Sequence, residues 1–166
     1  MGEDKDIRVL LIDDEQTLLE YLSKRLLREG FTVKVTFSGE EALQTAADEN
    51  FDVAVVDLKM PGMDGVETQK RLKEIQPFLQ CIVLTGYGSI DTALKSGQYD
   101  AFQYLLKPID YAALLQGIKD AHQLKLKLQK EKFDEEASEI QSSGLGTKGI
   151  KKAINKLRRI YGVEED

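Results

Sequence analysis

Apolar and polar positions along this chain alternate between two rhythms, and the switch from one to the other recurs five times. Ile7-Arg-Val-Leu-Leu-Ile12, Val53-Ala-Val-Val56, Gln80-Cys-Ile-Val-Leu84 and Ala101-Phe-Gln-Tyr-Leu-Leu106 are short, nearly unbroken apolar runs, the pattern of strands covered on both faces. Phe31-Thr-Val-Lys-Val35 alternates instead and predicts a half-covered strand. Between the runs the period lengthens to that of a helix. Glu15 to Glu29 places Leu18, Leu22 and Leu26, with Leu19 and Leu27, on one side and closes at Gly30. Ser38 with Glu41 forms a capping-box pattern before Ala42, Leu43, Ala46 and Ala47. Asp64 can cap a helix bearing Val66, Leu72 and Ile75 that stops near Pro77, and Ser89 a short helix through Lys95 that yields at Gly97. Asp110 opens the last of the series, through Leu114, Leu115 and Ile118.

Strand followed by helix, five times over, predicts an α/β fold with helices on both faces of a parallel sheet. Right-handed crossovers favour a flavodoxin-like (βα)5 doubly wound sheet in strand order 2-1-3-4-5, which sets strands 1 and 3 side by side at the switch point where such sheets bind ligands. The chain divides by this reading into residues 6–126, a helical extension and flexible linker at 127–147, and a basic amphipathic helix with an acidic terminus at 148–166. No proline and only Gly117 interrupt the stretch from Tyr111 to about Gln141, so the last helix is expected to run on as a solvated extension, a dimerising coil being the sharper alternative. Ser142-Ser-Gly-Leu-Gly146 is a break, and Ile150, Ala153, Ile154, Leu157, Ile160 and Tyr161 then make one apolar stripe that needs a surface, the acidic main domain or a partner protein ahead of an anionic membrane or nucleic acid.

Charge sharpens this division. The net charge is -6, yet Gly144 to Asp166 carries six basic residues against three acidic ones, which leaves -9 for everything before it. An acidic body does not suit general nucleic-acid binding, and no direct DNA binding is expected of it. No apolar run reaches membrane-spanning length, and the acidic opening residues lack a signal peptide's apolar core, so a cytoplasmic protein without a membrane span is expected. Cys81 is the single cysteine, which excludes an intrachain disulfide and a cysteine-based zinc site.

The chemistry lies at the strand ends. Asp13, Asp14, Asp57, Thr85 and Lys107 each follow an apolar strand, so one fold gathers all five at one sheet edge. Each also has a plainer reading: helix capping for Asp13 and Asp14, a turn former for Asp57, loop packing for Thr85 and Lys107. Together, three carboxylates would repel one another unless a cation sat among them. Mg2+ fits better than calcium, since it takes oxygen ligands and prefers one or two carboxylates plus a phosphate oxygen. Lys107 offers a point charge and Thr85 a hydroxyl for phosphoryl oxygens. Asp57 is the best nucleophile for an aspartyl phosphate.

The acidic pair Asp13-Asp14, the loop Asp57-Leu-Lys-Met-Pro-Gly-Met-Asp-Gly65, Thr85-Gly86 and Lys107-Pro108 resemble, in order and spacing, the receiver domain of two-component response regulators, with its CheY-like fold. The resemblance covers roughly Asp6 to Leu126. It implies a phosphorelay or two-component switch in which Asp57 takes a phosphoryl group from the phosphohistidine of a histidine kinase or phosphotransfer protein. Mg2+ would be held by Asp13, Asp14, Asp57 and the backbone carbonyl of Lys59. Thr85 and Lys107 would bind the phosphoryl oxygens, Tyr104 would be the switch aromatic, and Lys107-Pro108 would be cis. Such a domain catalyses only its own phosphorylation and slow self-dephosphorylation. The bulky Lys59 and Tyr87 would tune the lifetime of the phosphoryl group, as in stand-alone receivers of the sporulation type. Leu84-Thr-Gly-Tyr-Gly-Ser and Tyr99-Asp-Ala-Phe resemble receivers of the nitrogen-regulation type. His122, the single histidine, is expected at the surface far from this edge. The effector downstream is unnamed, and a homodimer through the last receiver helix is the candidate assembly.

Three alternatives stand beside this reading. A Mg2+-dependent phosphatase of the haloacid-dehalogenase type also uses Asp, Thr and Lys on a parallel sheet, but it needs a second Asp where this chain has Lys59. A pseudo-receiver scaffold would not need the intact five-residue set. The chain can also be a receiver fragment of a larger transcriptional regulator.

Overall fold

The computed structural model describes residues 6–86 and 101–165. The helix expected at Ser89–Lys95, together with Tyr87, lies outside the described residues. Within them the order is β1 (Arg8–Ile12), α1 (Gln16–Arg28), β2 (Thr32–Thr36), α2 (Gly39–Asp48), β3 (Val53–Asp57), α3 (Gly65–Ile75), β4 (Gln80–Thr85), β5 (Gln103–Leu106), α4 (Tyr111–Gln141) and α5 (Thr147–Tyr161). The five strands form one sheet in the order β2-β1-β3-β4-β5, every pairing parallel. This is the predicted flavodoxin-like, CheY-like architecture, and it follows from the apolar runs. Along β1, Val9 and Leu11 join a core cluster with Leu19, Leu22 and Leu26 of α1 and Leu114 and Ile118 of α4. Leu10 and Ile12 face the opposite cluster, with Ala42 and Ala46 of α2 and Leu72 of α3. A strand with apolar residues at both odd and even positions can bury both faces, which is why β1, β3 and β4 are central. β2 and β5 are more exposed and form the edges.

The caps are those expected, with one difference of detail. Ser38 Oγ accepts from Glu41 N at 3.1 Å, while the Glu41 carboxylate reaches back to Phe37 N at 3.1 Å rather than to the cap residue itself. Asp64 Oδ1 accepts from Glu67 N at 2.9 Å, and Asp110 Oδ1 from Ala112 N at 3.0 Å. Several helical faces are rotated from their expected setting. Leu19 rather than Leu18 is fully buried on α1, Leu27 is exposed, and Ala47 of α2 is exposed. On α3 Ile75 is 43% exposed while Thr68 and Gln69 are buried. α2 lies against this face of α3: a Cβ on Gly39 would collide with Thr68 Oγ1. Thr68 can afford burial because its hydroxyl donates to Asp64 O at 2.7 Å.

The described chain forms two compact units, one ending at His122 and the other beginning at Gln123, with α4 running through the boundary. In the second unit Phe133 of α4 and Leu157 of α5 are both buried, the Arg158 guanidinium lies 6.0 Å from the Phe133 ring centroid, and Tyr161 Oη donates to Glu136 Oε1 at 2.7 Å. The apolar stripe of α5 is thus covered in part within its own unit, at Leu157, while Ile160 stays 60% exposed. His122 corrects another expectation. It is half-buried, with Nδ1 out of solvent, because it follows Ala121 on the packed face of α4. Among the described residues no helix is long and apolar enough to cross a membrane.

Candidate functional site

The sheet delivers its strand ends to one edge. β1 ends at Ile12 and hands over to Asp13, which is 1% exposed, and to Asp14, which is exposed. Asp13 does not cap α1, whose N-cap is Glu15, but makes a local turn just ahead of it. Oδ1 accepts from Glu15 N at 3.0 Å at the entry to α1, whereas Oδ2 accepts from Lys107 Nζ at 3.0 Å. Next to it β3 ends on Asp57, 6% exposed, and Leu58 N donates to Leu84 O at 2.9 Å, so the register with β4 continues one step past the acid. β4 then brings Thr85 to the rim. Lys107 follows β5, and its backbone N donates to Thr85 O at 2.8 Å, which fixes where the long side chain begins. The Lys107-Pro108 bond is cis.

The Lys107 ammonium is the centre of the site's electrostatics. It lies 3.0 Å from Asp13 Oδ2, 3.4 Å from Asp57 Oδ1 and 3.8 Å from Glu15 Oε2. Burial works against its charge, but the hydrogen bond and charge of Asp13, then the charges of Asp57 and Glu15, outweigh it and hold the ammonium above its ordinary value. Asp57 moves the other way for a carboxylate that must ionise. Burial and then the negative charge of Asp13 push it up to about 6, while Lys107 and the backbone N–H of Lys59 pull it back. The site therefore gathers four carboxylates, Asp13, Asp14, Glu15 and Asp57, around a single lysine.

One carboxylate oxygen from each of Asp13, Asp14 and Asp57 lies within 4.8 Å of the others. Three oxygen donors with no sulfur or imidazole among them suit a hard divalent cation, and a carboxylate pushed up to about 6 by burial and then by a neighbouring carboxylate is one that a cation would relieve. Thr85 is buried to 1%, and its hydroxyl donates to Gly86 O at 3.3 Å. Tyr104 sits on β5 opposite Val83, half-buried with its hydroxyl out of solvent. Lys59, two residues after the acid, is exposed.

Three residues that support the site carry no local signal for it. Glu15 joins the Lys107 cluster only because α1 begins beside β1. Glu40, on α2, accepts from Met63 N at 3.1 Å and so ties down the loop after Asp57 across 23 residues of sequence. Gly65 has the tightest requirement. A Cβ there would collide with the Asp57 carbonyl oxygen and lie 2.7 Å from Leu58 Cα, so only glycine lets α3 start this close to the strand end. Its one sequence cue is a glycine at the first position of a helix, where a better helix former would ordinarily stand.

Comparison with known proteins decides the family. The response regulator receiver domain matches over residues 9–119, the span of the described sheet and its helices. The chain belongs to the response regulator receiver family. Transcriptional regulatory protein GlrR of Escherichia coli (strain K12) is 39% identical over 117 residues, which is 70% of this chain and 26% of that protein. The chain thus spans about a quarter of the length of the curated relatives it matches. Among solved structures, a response regulator receiver domain from Clostridium thermocellum superposes with a TM-score of 0.68 at 33% identity, covering 73% of this chain and 98% of that one. The response regulator TrrA from Thermotoga maritima, solved in complex with Mg2+-BeF, gives a TM-score of 0.61 at 30% identity and covers 69% and 97%. The domain is a phosphoryl-accepting receiver of two-component signalling, related to the receivers of transcriptional regulators, and the phosphatase alternative is not favoured.

Proposed function

We propose that Asp57 is the phosphoacceptor and that Asp13, Asp14, Asp57 and the backbone carbonyl of Lys59 hold Mg2+. The observation that carries this reading is the Lys107 ammonium between Asp13 Oδ2 and Asp57 Oδ1 beside three converging carboxylates. Bound there, Mg2+ supplies the positive charge that lets a phosphoryl group approach so acidic a pocket. The chain's own residues do the rest. Asp57, ionised above about pH 6, presents an oxygen to phosphorus, and a P–O bond forms as the P–N bond to the phosphohistidine breaks. Lys107 moves from its two carboxylates to the phosphoryl oxygens, and the Thr85 hydroxyl gives up the Gly86 carbonyl for the same group. Tyr104, three residues before Lys107, follows Thr85 as the switch aromatic. That TrrA was solved with Mg2+-BeF supports the same ligand chemistry here.

The phosphodonor is a histidine kinase or a phosphotransfer protein in the cytoplasm, and the output is a change in what the receiver binds. Lys59 and Tyr87 crowd the line along which water would attack, so self-dephosphorylation is slow. No other enzymatic activity is assigned to the domain. The curated relatives are transcriptional regulators roughly four times longer, which supports reading this chain as the receiver part of such a regulator as readily as a stand-alone receiver. Incubation with acetyl phosphate and Mg2+ tests the assignment. Stable labelling lost in Asp57→Asn is expected, and rapid turnover of assorted phosphate esters would overturn it in favour of a phosphatase.

A further inference from the structure

The second unit presents a charged surface that the phosphoryl site does not use. α5 holds six basic residues and no acidic one. Its apolar side is engaged within the unit through the buried Leu157 and the Tyr161–Glu136 hydrogen bond, with Ile160 left exposed, and Arg158 lies over the Phe133 ring and is tied at 2.8 Å to Glu165. The remaining five, Lys148, Lys151, Lys152, Lys156 and Arg159, are all exposed, and among the described residues none of them has an ion-pair partner. On α4, by contrast, Lys127 pairs with Glu131 and Lys132 with Glu135 and Glu136. Five like charges on one helical face raise one another's energy unless a polyanion neutralises them.

The arrangement within the face narrows the polyanion. At helical spacing Lys148, Asn155 and Arg159 fall on one ridge, with Lys151 on one side of it and Lys152 and Lys156 on the other. A polar amide stands at the centre and cations flank it on both sides. A bilayer surface would be gripped through the apolar side of an amphipathic helix, but the middle of that side, Leu157, is already buried and Tyr161 is held by Glu136. A helix about 10–12 Å across fits the B-DNA major groove, about 12 Å wide, whereas the major groove of A-form RNA is too narrow for it. Two flanking rows of cations can then reach the phosphates on both groove walls.

We infer that the outward face of α5 is a docking surface for double-stranded DNA, held by Lys148, Lys151, Lys152, Lys156 and Arg159, with Asn155 at the base edges. The acidity that speaks against DNA binding belongs to the body before the tail, not to this face. The assignment stands apart from the phosphoryl site and survives or fails independently of it.

The test uses the full chain and a fluorescein-labelled mixed-sequence DNA duplex, followed by anisotropy across a salt series. Five phosphate contacts predict a slope of log K against log[salt] of about -4.5. Lys151→Gln/Lys152→Gln/Lys156→Gln is expected to flatten the slope by about 2.7 and weaken binding at low salt by roughly tenfold or more. The control Lys127→Gln/Lys130→Gln on α4 leaves the slope unchanged. Circular dichroism and labelling of Asp57 by acetyl phosphate confirm that each variant is folded. Absence of binding at the lowest salt, an unchanged slope in the triple variant, or binding to vesicles of anionic phospholipid but not to the duplex would each overturn the assignment.

Discussion

Lys107 Nζ stands 3.4 Å from Asp57 Oδ1, although Asp57 ends β3 and Lys107 follows β5, with β4 between the two strands. That one contact is a countercharge at rest, and on the function proposed above the same ammonium leaves the carboxylate when a phosphoryl group arrives.

Replacing Lys107 by Gln should therefore act on Asp57 twice. Without the cation, burial and Asp13 are opposed only by the Lys59 N–H, so the Asp57 carboxyl titrates above its present value of about 6. Phosphoryl labelling by acetyl phosphate should fall roughly 10- to 1000-fold, the range found when one electrostatic stabiliser of a transition state is removed. Carboxyl-carbon NMR and a labelling time course read the two effects separately.

The raised Asp57 also sets a pH dependence of stability. Its folded value, about 6, exceeds the ordinary 3.8, so the folded protein holds the proton more tightly than the unfolded chain does. The protonated group favours folding below about pH 4, and this contribution is lost as pH rises from about 4 to 6. Asp57→Asn should accordingly be more stable than the parent at pH 7.5, by about 1–3 kcal/mol, and the gap should close near pH 4. Urea melts at the two pH values measure it. An Asn variant less stable at pH 7.5 would contradict the electrostatic reading of the site.

Gly65→Ala tests the backbone approach. The new methyl meets the Asp57 carbonyl oxygen and Leu58 Cα, both of them backbone that cannot swing aside. A loss of about 2 kcal/mol or more in stability is expected, together with slower labelling, since the displaced strand end carries the acceptor itself. Gly146→Ala, where nothing lies within 4 Å of the added carbon, is the matched control.

The lifetime of the phosphoryl group should depend on side-chain bulk beside Asp57. Lys59→Asn combined with Tyr87→Ala should speed the decay of the phosphorylated protein severalfold without changing how fast it forms. A decay rate equal to the parent's would remove Lys59 and Tyr87 from the account.

How much of this was legible beforehand follows the range of the interaction concerned. An apolar run ending on a polar residue is a local signal, and the parallel order of such runs brought Asp13, Asp57, Thr85 and Lys107 to one edge on paper as in the structure. Burial on α3 was misread because hydropathy favours Ile75, whereas the face is chosen by α2: Thr68 and Gln69 go inward where Gly39 allows close approach, and Asp64 O satisfies the Thr68 hydroxyl. The Glu40–Met63 bond, like the collision that reserves position 65 for glycine, exists only once distant segments meet. The cover over Leu157 was hidden for the same reason, since Phe133 belongs to the preceding helix and its own sequence shows no heptad.

The most direct measurement maps the phosphoryl group itself. After incubation with acetyl phosphate, borohydride trapping and peptide mass spectrometry should place a single modification on Asp57, present with Mg2+, absent with a chelator, and absent in Asp57→Asn. Modification that persists in Asp57→Asn, or that forms equally well in the chelator, would contradict the account.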